Sequence, residues 1–105
     1  MLSVYKYKLN DTICWIEAPV INWLDIDWQE REGCFCAWAL VNLDGPDRKF
    51  QFFELDTGRE VSEEMLKGYQ HLGTVNMNYY VAHWFVGEYD NNNKIMIDED
   101  ENVSE

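Results

Sequence analysis

Apolar and polar residues alternate over residues 4–9 and 23–29, which is the pattern of a half-buried β-strand. Three further short segments, residues 13–17, 72–77 and 79–86, also predict strands. Pro19 ends the second segment, since proline cannot donate a hydrogen bond to a strand ladder. Within residues 23–29 we expect Leu24, Ile26 and Trp28 to face inward and the two aspartates between them to face solvent.

The middle of the chain predicts the most buried strand. Residues 34–42 are almost wholly apolar, which indicates a central strand that is covered on both faces. A strong turn signal, Asp-Gly-Pro-Asp, follows this segment. We expect residues 48–55 to form the partner strand, with Phe50 and Phe52 on one face and Phe53 on the other.

One helix is predicted after these strands. Ser62 is a suitable N-cap, two glutamates in the first turn favour the helix dipole, and Gly68 ends the helix. Because so short a helix is not stable alone, we expect Met65 and Leu66 to pack on a sheet. Seven short strands and one short helix predict a mainly β (α+β) fold, either a small antiparallel β-sandwich or a partly open barrel.

Length and charge divide the chain into two regions. It has 105 residues, enough for one compact domain. Eight Lys and Arg residues stand against twenty Asp and Glu residues, and residues 88–105 hold half of the net charge of −12. We therefore expect one β-rich domain over residues 1–87 and an acidic, flexible C-terminal tail over residues 88–105.

The negative charge also restricts the partners. Nucleic acid and anionic membranes repel such a surface, so we expect neither as a direct partner. Asp98, Glu99, Asp100 and Glu101 either solubilise the tail or attract a host protein with a basic surface. Because the chain starts without the features of a signal peptide and no apolar run reaches the length of a membrane span, we expect a cytoplasmic location.

Three cysteines occur in the chain, at Cys14, Cys34 and Cys36. An odd number is typical of free thiols in a reducing compartment, where buried cysteines act as small hydrophobic residues. A zinc site would need two more ligands, with His71 and His83 as the available donors, and the chain has no Cys-x-x-Cys pair. We expect no metal and no cofactor.

Catalytic signatures are missing from the chain, including a nucleophile elbow, a phosphate loop, a dinucleotide fingerprint and a His-Glu-x-x-His motif. We therefore do not expect an enzyme. Sixteen aromatic residues exceed what so small a core must hold, so some should lie on the surface, where aromatic side chains anchor protein partners. Trp15 and Trp23, which flank Pro19, are the candidates for such an interface; alternatively, they cap the open end of a barrel.

Six short motifs occur in a fixed order along residues 4–88. They are Val4-Tyr5-Lys6-Tyr7, Trp38-Ala39-Leu40-Val41, Arg48-Lys49-Phe50, Thr57-Gly58, Leu72-Gly73-Thr74-Val75 and His83-Trp84-Phe85-Val86. In this order the motifs resemble those of a family of small phage and prophage proteins of unknown function. The chain departs from the family pattern at Asp56, where the family has glycine, and in the position of the tryptophan beside His83. The resemblance implies a small β-rich phage protein and implies no activity.

A second candidate site combines the two glycine–threonine pairs with a histidine. Thr57-Gly58 and Gly73-Thr74 permit tight bends at strand ends, and two such loops lying together would present backbone N–H groups to an anion such as a nucleotide phosphate. His83, which shares a strand face with Val81 and Phe85, would add a ligand contact. The alternative is that the pairs are structural bends and the histidine is held by structural hydrogen bonds.

The sequence favours a phage-encoded, non-enzymatic binding protein that inhibits a host-defence factor in the cytoplasm of the bacterial host. Its acidic surface would imitate nucleic acid and occupy a basic groove of that factor. Two alternatives stay open. One is a protein that binds and sequesters a small nucleotide. The other is an accessory virion protein that forms homo-oligomers through an exposed edge strand.

Overall fold

The computed structural model describes residues 1–97, which form seven strands and one short helix. The strands are β1 (Leu2–Leu9), β2 (Ile13–Ala18), β3 (Val20–Gln29), β4 (Cys34–Asn42), β5 (Arg48–Asp56), β6 (Tyr69–Asn76) and β7 (Val81–Tyr89). The helix α1 spans Glu63–Leu66, between β5 and β6. The expected number of strands and the single short helix are confirmed for this part of the chain.

The strands form two antiparallel sheets, and within residues 1–97 they do not close into a barrel. One sheet has three strands in the order β1-β4-β3, and the other has four in the order β2-β5-β7-β6. The chain crosses from the four-stranded to the three-stranded sheet at Pro19, which separates β2 from β3. β4 is the central strand of its sheet, as predicted, and its Cys36, Ala37 and Ala39 are fully buried. The expectation that both of its faces are covered is wrong, because Trp38 and Leu40 on the outer face remain partly exposed. The fold is a small antiparallel β-sandwich.

β5 does not pair with β4, so the prediction that residues 48–55 form its partner strand is wrong. β5 lies between β2 and β7 in the opposite sheet. A turn signal indicates that the chain reverses, but it does not specify in which sheet the next strand lies. Here Phe50 and Phe52 face Trp23 across the interior of the sandwich, which buries all three rings. The predicted faces of β5 are confirmed, since Phe53 lies on the other side.

β3 contains two irregularities that change which of its side chains face the core. Its register with β4 shifts twice between Val20 and Asp25. Since each bulge inserts one unpaired residue, the buried positions recur at every third residue, at Val20, Trp23 and Ile26. The expected strict alternation is therefore wrong here, and Leu24 is exposed. Trp23, which we expected on the surface, is a core residue.

The core lies between the two sheets and is rich in aromatic contacts. The ring of Trp23 meets Phe50 and Phe52 edge-on, with centroids 5.4 and 4.7 Å apart. Phe35 of the three-stranded sheet contacts Trp84 of β7 at 5.3 Å. Each such pair contributes about 0.5–1.5 kcal/mol beyond the burial of its area. The inward face of β7 is formed by Ala82, Trp84 and Val86, the face that alternation separates from Val81, His83 and Phe85.

The helix begins as predicted but does not pack as expected. The Ser62 hydroxyl accepts a hydrogen bond from the Met65 backbone N–H at 3.2 Å, which confirms the N-cap. Gly68 has a φ of +83°, a conformation that favours glycine, where the chain turns into β6. No residue of α1 is buried, and Met65 is 52% exposed. The expectation that Met65 packs on a sheet is therefore wrong.

β7 runs past the predicted boundary after residue 87 and ends at Tyr89. The Asp90 carboxylate then accepts hydrogen bonds from the backbone N–H groups of Asn92 and Lys94, which closes a turn. This turn returns the chain so that Ile95 forms a bridge with Tyr89. The candidate residues Asp98, Glu99, Asp100 and Glu101 lie outside the described residues. No helix within residues 1–97 is long and apolar enough to cross a membrane.

Candidate functional site

The outer face of the four-stranded sheet, which points away from the core, carries an unusual number of aromatic side chains. Because Phe52 faces inward, alternation places Gln51 and Phe53 of β5 on this outer face. Phe53 lies opposite Phe85 of β7, and the two rings stack at 5.2 Å with an interplanar angle of 14°. Trp15 of β2 pairs with Gln51 at the edge of the same face.

A groove with a volume of about 740 Å³ opens on this outer face. It lies between the sheet and the segment that contains α1, which stands away from the sheet. Its floor is mainly apolar and includes Ile13, Phe53, Leu55, Tyr69 and Tyr89. Its wall is mainly charged and includes Asp56, Arg59, Glu60, Glu64 and Lys67. Met65 of α1 lines the groove and is largely exposed.

Two tyrosines and a glutamine form a hydrogen-bonded group at one end of the groove. The hydroxyls of Tyr69 and Tyr89 donate to Oε1 of Gln51 at 2.6 and 3.1 Å, and they lie 2.5 Å from each other. Burial and the neighbouring Tyr89 hydroxyl raise the pKa of Tyr69 above its ordinary value. Tyr69 is therefore neutral at physiological pH, and the three hydrogen-bonded side chains hold one another in place.

Glu54 is partly buried and lies next to the groove, but its side chain points inward, on the face of β5 that carries Phe52 and opposite Trp84 of β7. Its carboxylate accepts a hydrogen bond from the Tyr80 hydroxyl at 3.2 Å. Burial raises the pKa of Glu54, an effect that the hydrogen bond from Tyr80 opposes.

The predicted ligand residues Thr57, Thr74 and His83 lie together beyond the groove on the same outer face. His83 lies between the two threonines, with Nε2 2.7 Å from the Thr57 hydroxyl and Nδ1 3.0 Å from the Thr74 hydroxyl. His71 extends the chain, because its Nε2 lies 3.0 Å from the same Thr74 hydroxyl. The four side chains form one continuous hydrogen-bonded row. Thr57, Thr74 and His83 therefore lie together in the fold.

His71 belongs to this row although we proposed it only as a possible zinc donor. Strict alternation would place His71 and Thr74, three residues apart, on opposite faces of β6. The pairing of β6 with β7 shifts register between His71 and Gly73, and this irregularity brings both side chains to the outer face. A bulge of this kind leaves no clear signal in the sequence beyond the glycine itself.

The two glycine–threonine pairs do not form the expected anion cradle. The Thr57 N–H already donates to the Val81 carbonyl at 3.2 Å. Gly73 and Thr74 lie inside β6, not in a loop, and Thr74 pairs with His83. Gly58 does occupy a turn, with a φ of +91°. The row offers side-chain hydroxyls and imidazoles to a ligand, whereas a nest of backbone N–H groups is not present in the described residues.

The two candidate tryptophans have different environments. Trp15 is 45% exposed on the outer face, where its ring meets Tyr89 edge-on at 4.8 Å. The Lys49 ammonium lies 4.8 Å from the centroid of the Trp15 ring, a cation–π contact. Trp23 is buried, so it is not available to a partner without unfolding. Of the two, the structure leaves only Trp15 as an accessible anchor.

Four of the eight Lys and Arg side chains, all of which lie in residues 1–97, contact acidic or aromatic side chains of the same chain. Lys6 and Lys8 both lie within 4 Å of Glu32, and Arg48 forms a bidentate ion pair with Glu88 at 2.8 Å. Lys49 covers Trp15. Twelve of the fifteen carboxylates in this part of the chain form no ion pair within it; the exceptions are Glu32, Asp44 and Glu88. The surface is therefore electrostatically unbalanced toward negative charge.

The cysteines are free thiols, and Cys36 is fully buried. Burial raises the pKa of Cys14 to about 11, and burial with the adjacent Cys34 thiol raises that of Cys36 to about 11. Both are therefore protonated and unreactive at neutral pH. Within residues 1–97 no group of three or more His, Cys, Asp or Glu side chains is arranged to hold a metal ion.

Fold and site together define a small two-sheet β-sandwich with an open, aromatic-floored groove on one sheet. Residues 1–95 match a family described as a domain of unknown function (DUF7352), and the chain belongs to this family. No curated protein and no solved structure matches the chain.

Proposed function

We propose that the chain is a non-enzymatic binding protein of phage origin that inhibits a host factor by direct contact in the bacterial cytoplasm. The factor presents a basic surface, which normally holds nucleic acid, and the acidic surface of this protein occupies it. The observation that carries the proposal is the excess of unpaired carboxylates on the folded part of the chain. Such an excess attracts a basic partner and speeds its capture.

The charge pattern supports this proposal in two regions. Residues 98–105 add five acidic residues and no basic ones. On the folded part, Asp25 and Asp27 lie two positions apart on β3, an edge strand of the three-stranded sheet, so they are spaced about 7 Å apart along it. Tail and body can therefore both contribute to the attraction, and an experiment has to separate them.

The test is a capture experiment from bacterial lysate at low and high salt. Three forms are compared: the full chain, a chain that ends at Ile97, and a full-length chain whose five terminal acidic residues are replaced by Asn or Gln. The cut belongs after Ile97 because Tyr89 and Ile95 are paired in the fold. The captured partner is then purified, and its binding to DNA or RNA is measured as this protein is added.

A partner that is captured at low salt, released at high salt and prevented from binding nucleic acid supports the proposal. If the neutral-tail form loses the partner as the shortened form does, the charge of the tail is the attracting feature. A partner held equally at both salt concentrations contradicts acidic capture. So does a partner that binds nucleic acid normally in a saturated complex.

A second candidate function is the binding of a small nucleotide, and the observation in its favour is the row formed by Thr57, Thr74, His71 and His83. Hydroxyls and imidazoles suit the ribose and base of such a ligand. The phosphate, however, needs positive charge, and the engaged lysines and arginine lie away from this row. A thermal shift with nucleotides that disappears in His83→Ala would support this function, and no shift with any nucleotide would remove it.

A further inference from the structure

The groove beside α1 leaves apolar surface uncovered on both of its sides. Ile13 on the sheet and Met65 on the helix are among the most exposed large apolar side chains of the folded part, and both line the groove. Phe53 and Leu55 form the floor between them. An apolar lining of this kind favours an occupant with an aliphatic or aromatic stem.

The charged groups at the groove favour a cationic end on that occupant. Three carboxylates and two cations with exposed side chains line the groove; they are Asp56, Glu60 and Glu64, and Arg59 and Lys67. Within residues 1–97 none of these five forms an ion pair. The net charge of these groups is therefore negative.

The aromatic floor supports the same choice. A cation near the face of an aromatic ring is attracted by the electron density of that ring. The outer face already holds such a contact, since the Lys49 ammonium lies over Trp15, which in turn touches Tyr89 of the groove. The same face thus combines exposed rings with an affinity for basic side chains.

We propose that the groove binds an arginine or lysine side chain presented by the basic protein partner. The aliphatic stem lies on Phe53 and Met65, and the cationic head lies among the carboxylates of the wall. This inference rests on the proposed function and deepens it, because it names the residue type by which the partner is held. An anionic nucleotide would meet three exposed carboxylates here, so it is not the expected occupant.

The test is an NMR titration of the full chain with the tripeptide acetyl-Ser-Arg-Ser-amide, observed at the Met65 methyl group. The peptide carries one positive charge, which limits general attraction to an acidic surface. The same peptide with citrulline in place of arginine keeps the shape and removes the charge. Adenosine monophosphate is the third probe. The variant Glu60→Gln/Glu64→Gln is compared with Glu17→Gln/Glu63→Gln, which removes the same charge from exposed positions outside the groove.

We expect the arginine peptide to shift the Met65 signal and the citrulline peptide to bind more weakly. We also expect the dissociation constant to rise about fivefold in Glu60→Gln/Glu64→Gln and less than about twofold in the control pair. The inference is overturned if the two double variants weaken binding of the arginine peptide equally, or if the citrulline peptide binds as tightly as the arginine peptide. It is also overturned if the arginine peptide does not shift the Met65 signal, or if adenosine monophosphate does shift it. If the peptide fails while salt-dependent capture of a partner persists, only the groove assignment is wrong. Peptide binding without any captured partner contradicts the proposed function instead.

Discussion

Gly73 lies on β6 where this strand faces β3 of the opposite sheet. A Cβ atom at this position would lie 2.7 Å from Cγ2 of Ile26, closer than two carbon atoms can approach. Ile26 is buried and β-branched, so it has little freedom to move aside. We expect Gly73→Ala to lower the free energy of unfolding by about 1–3 kcal/mol, measured by urea denaturation.

The control for Gly73→Ala is a double-mutant cycle with Ile26→Ala, which removes the contacting methyl group. If the clash is the cause, the two substitutions together cost less than the sum of their separate effects. Additive effects would contradict it.

The thiols predict a loss of stability at alkaline pH. Burial raises the pKa of Cys14 and of Cys36 to about 11, whereas an unfolded cysteine titrates near about 8.5. Between these values the unfolded chain loses protons that the folded chain keeps, so the free energy of unfolding falls as pH rises above about 8.5. Below that pH the thiols are protonated in both states, so they do not change the free energy of unfolding with pH. Urea denaturation at pH 7.5 and 9.5 measures this fall.

The comparison for this pH effect is the variant Cys14→Ala/Cys36→Ala. Whatever its stability at pH 7.5, the variant should lose less between pH 7.5 and 9.5 than the original chain does, because the two titrating groups are gone. An equal loss in both chains would mean that the thiols are not responsible.

Local rules predict a residue's environment where the strand is regular and fail where it is not. The side chains of β5 and β7 follow simple alternation, and the sequence predicts correctly which of them share a face. Trp23 and His71 lie beside irregular pairings, so each points to the face opposite to the one that alternation gives. Gly73 lies against Ile26 of the opposite sheet, where a larger side chain would clash, and the pattern along one strand does not predict such a contact between sheets.

At the scale of elements, the sequence predicts where each strand lies along the chain better than it predicts which strands pair with each other. Apolar runs and turn residues locate β4 and β5, but pairing depends on how the two sheets cover each other. Asp25 and Asp27 on β3 have a structural role as well, since charged side chains on an edge strand discourage pairing with another chain. The groove likewise depends on the position of α1 relative to the sheet, so the sequence predicted single residues of the outer face and not the groove.

The end of β7 and the returning segment form one element of the fold. Glu88 holds Arg48 in a bidentate ion pair, and Tyr89 bridges to Ile95, whose side chain lies beside Gly87. We expect a chain that ends at Gly87 to melt at a clearly lower temperature than the full chain, or not to fold, because these contacts are lost. A chain that ends at Ile97 should melt close to the full chain. Circular dichroism of the three chains tests this, and equal melting of the two shortened chains would refute it.

At the scale of the whole molecule, charge is the property that composition predicts best and the fold modifies least. Folding pairs Lys6, Lys8 and Arg48 with just two carboxylates, so most acidic groups remain without a counter-charge within residues 1–97. The protein therefore keeps a long-range negative field, which the proposed function uses. The same field opposes compaction, because like charges repel more strongly in the folded than in the unfolded chain.

This self-repulsion predicts that salt stabilises the protein. The screening length falls from about 30 Å at 0.01 M salt to about 8 Å at 0.15 M, which removes most of the repulsion between surface carboxylates. We expect the melting temperature of the full chain, with its net charge of −12, to rise by several degrees over this range of sodium chloride. The chain that ends at Ile97 keeps fifteen acidic and eight basic residues and should gain less. A melting temperature that falls with salt would mean that the few ion pairs outweigh the repulsion, and acidic capture of a basic partner would then lose its physical basis.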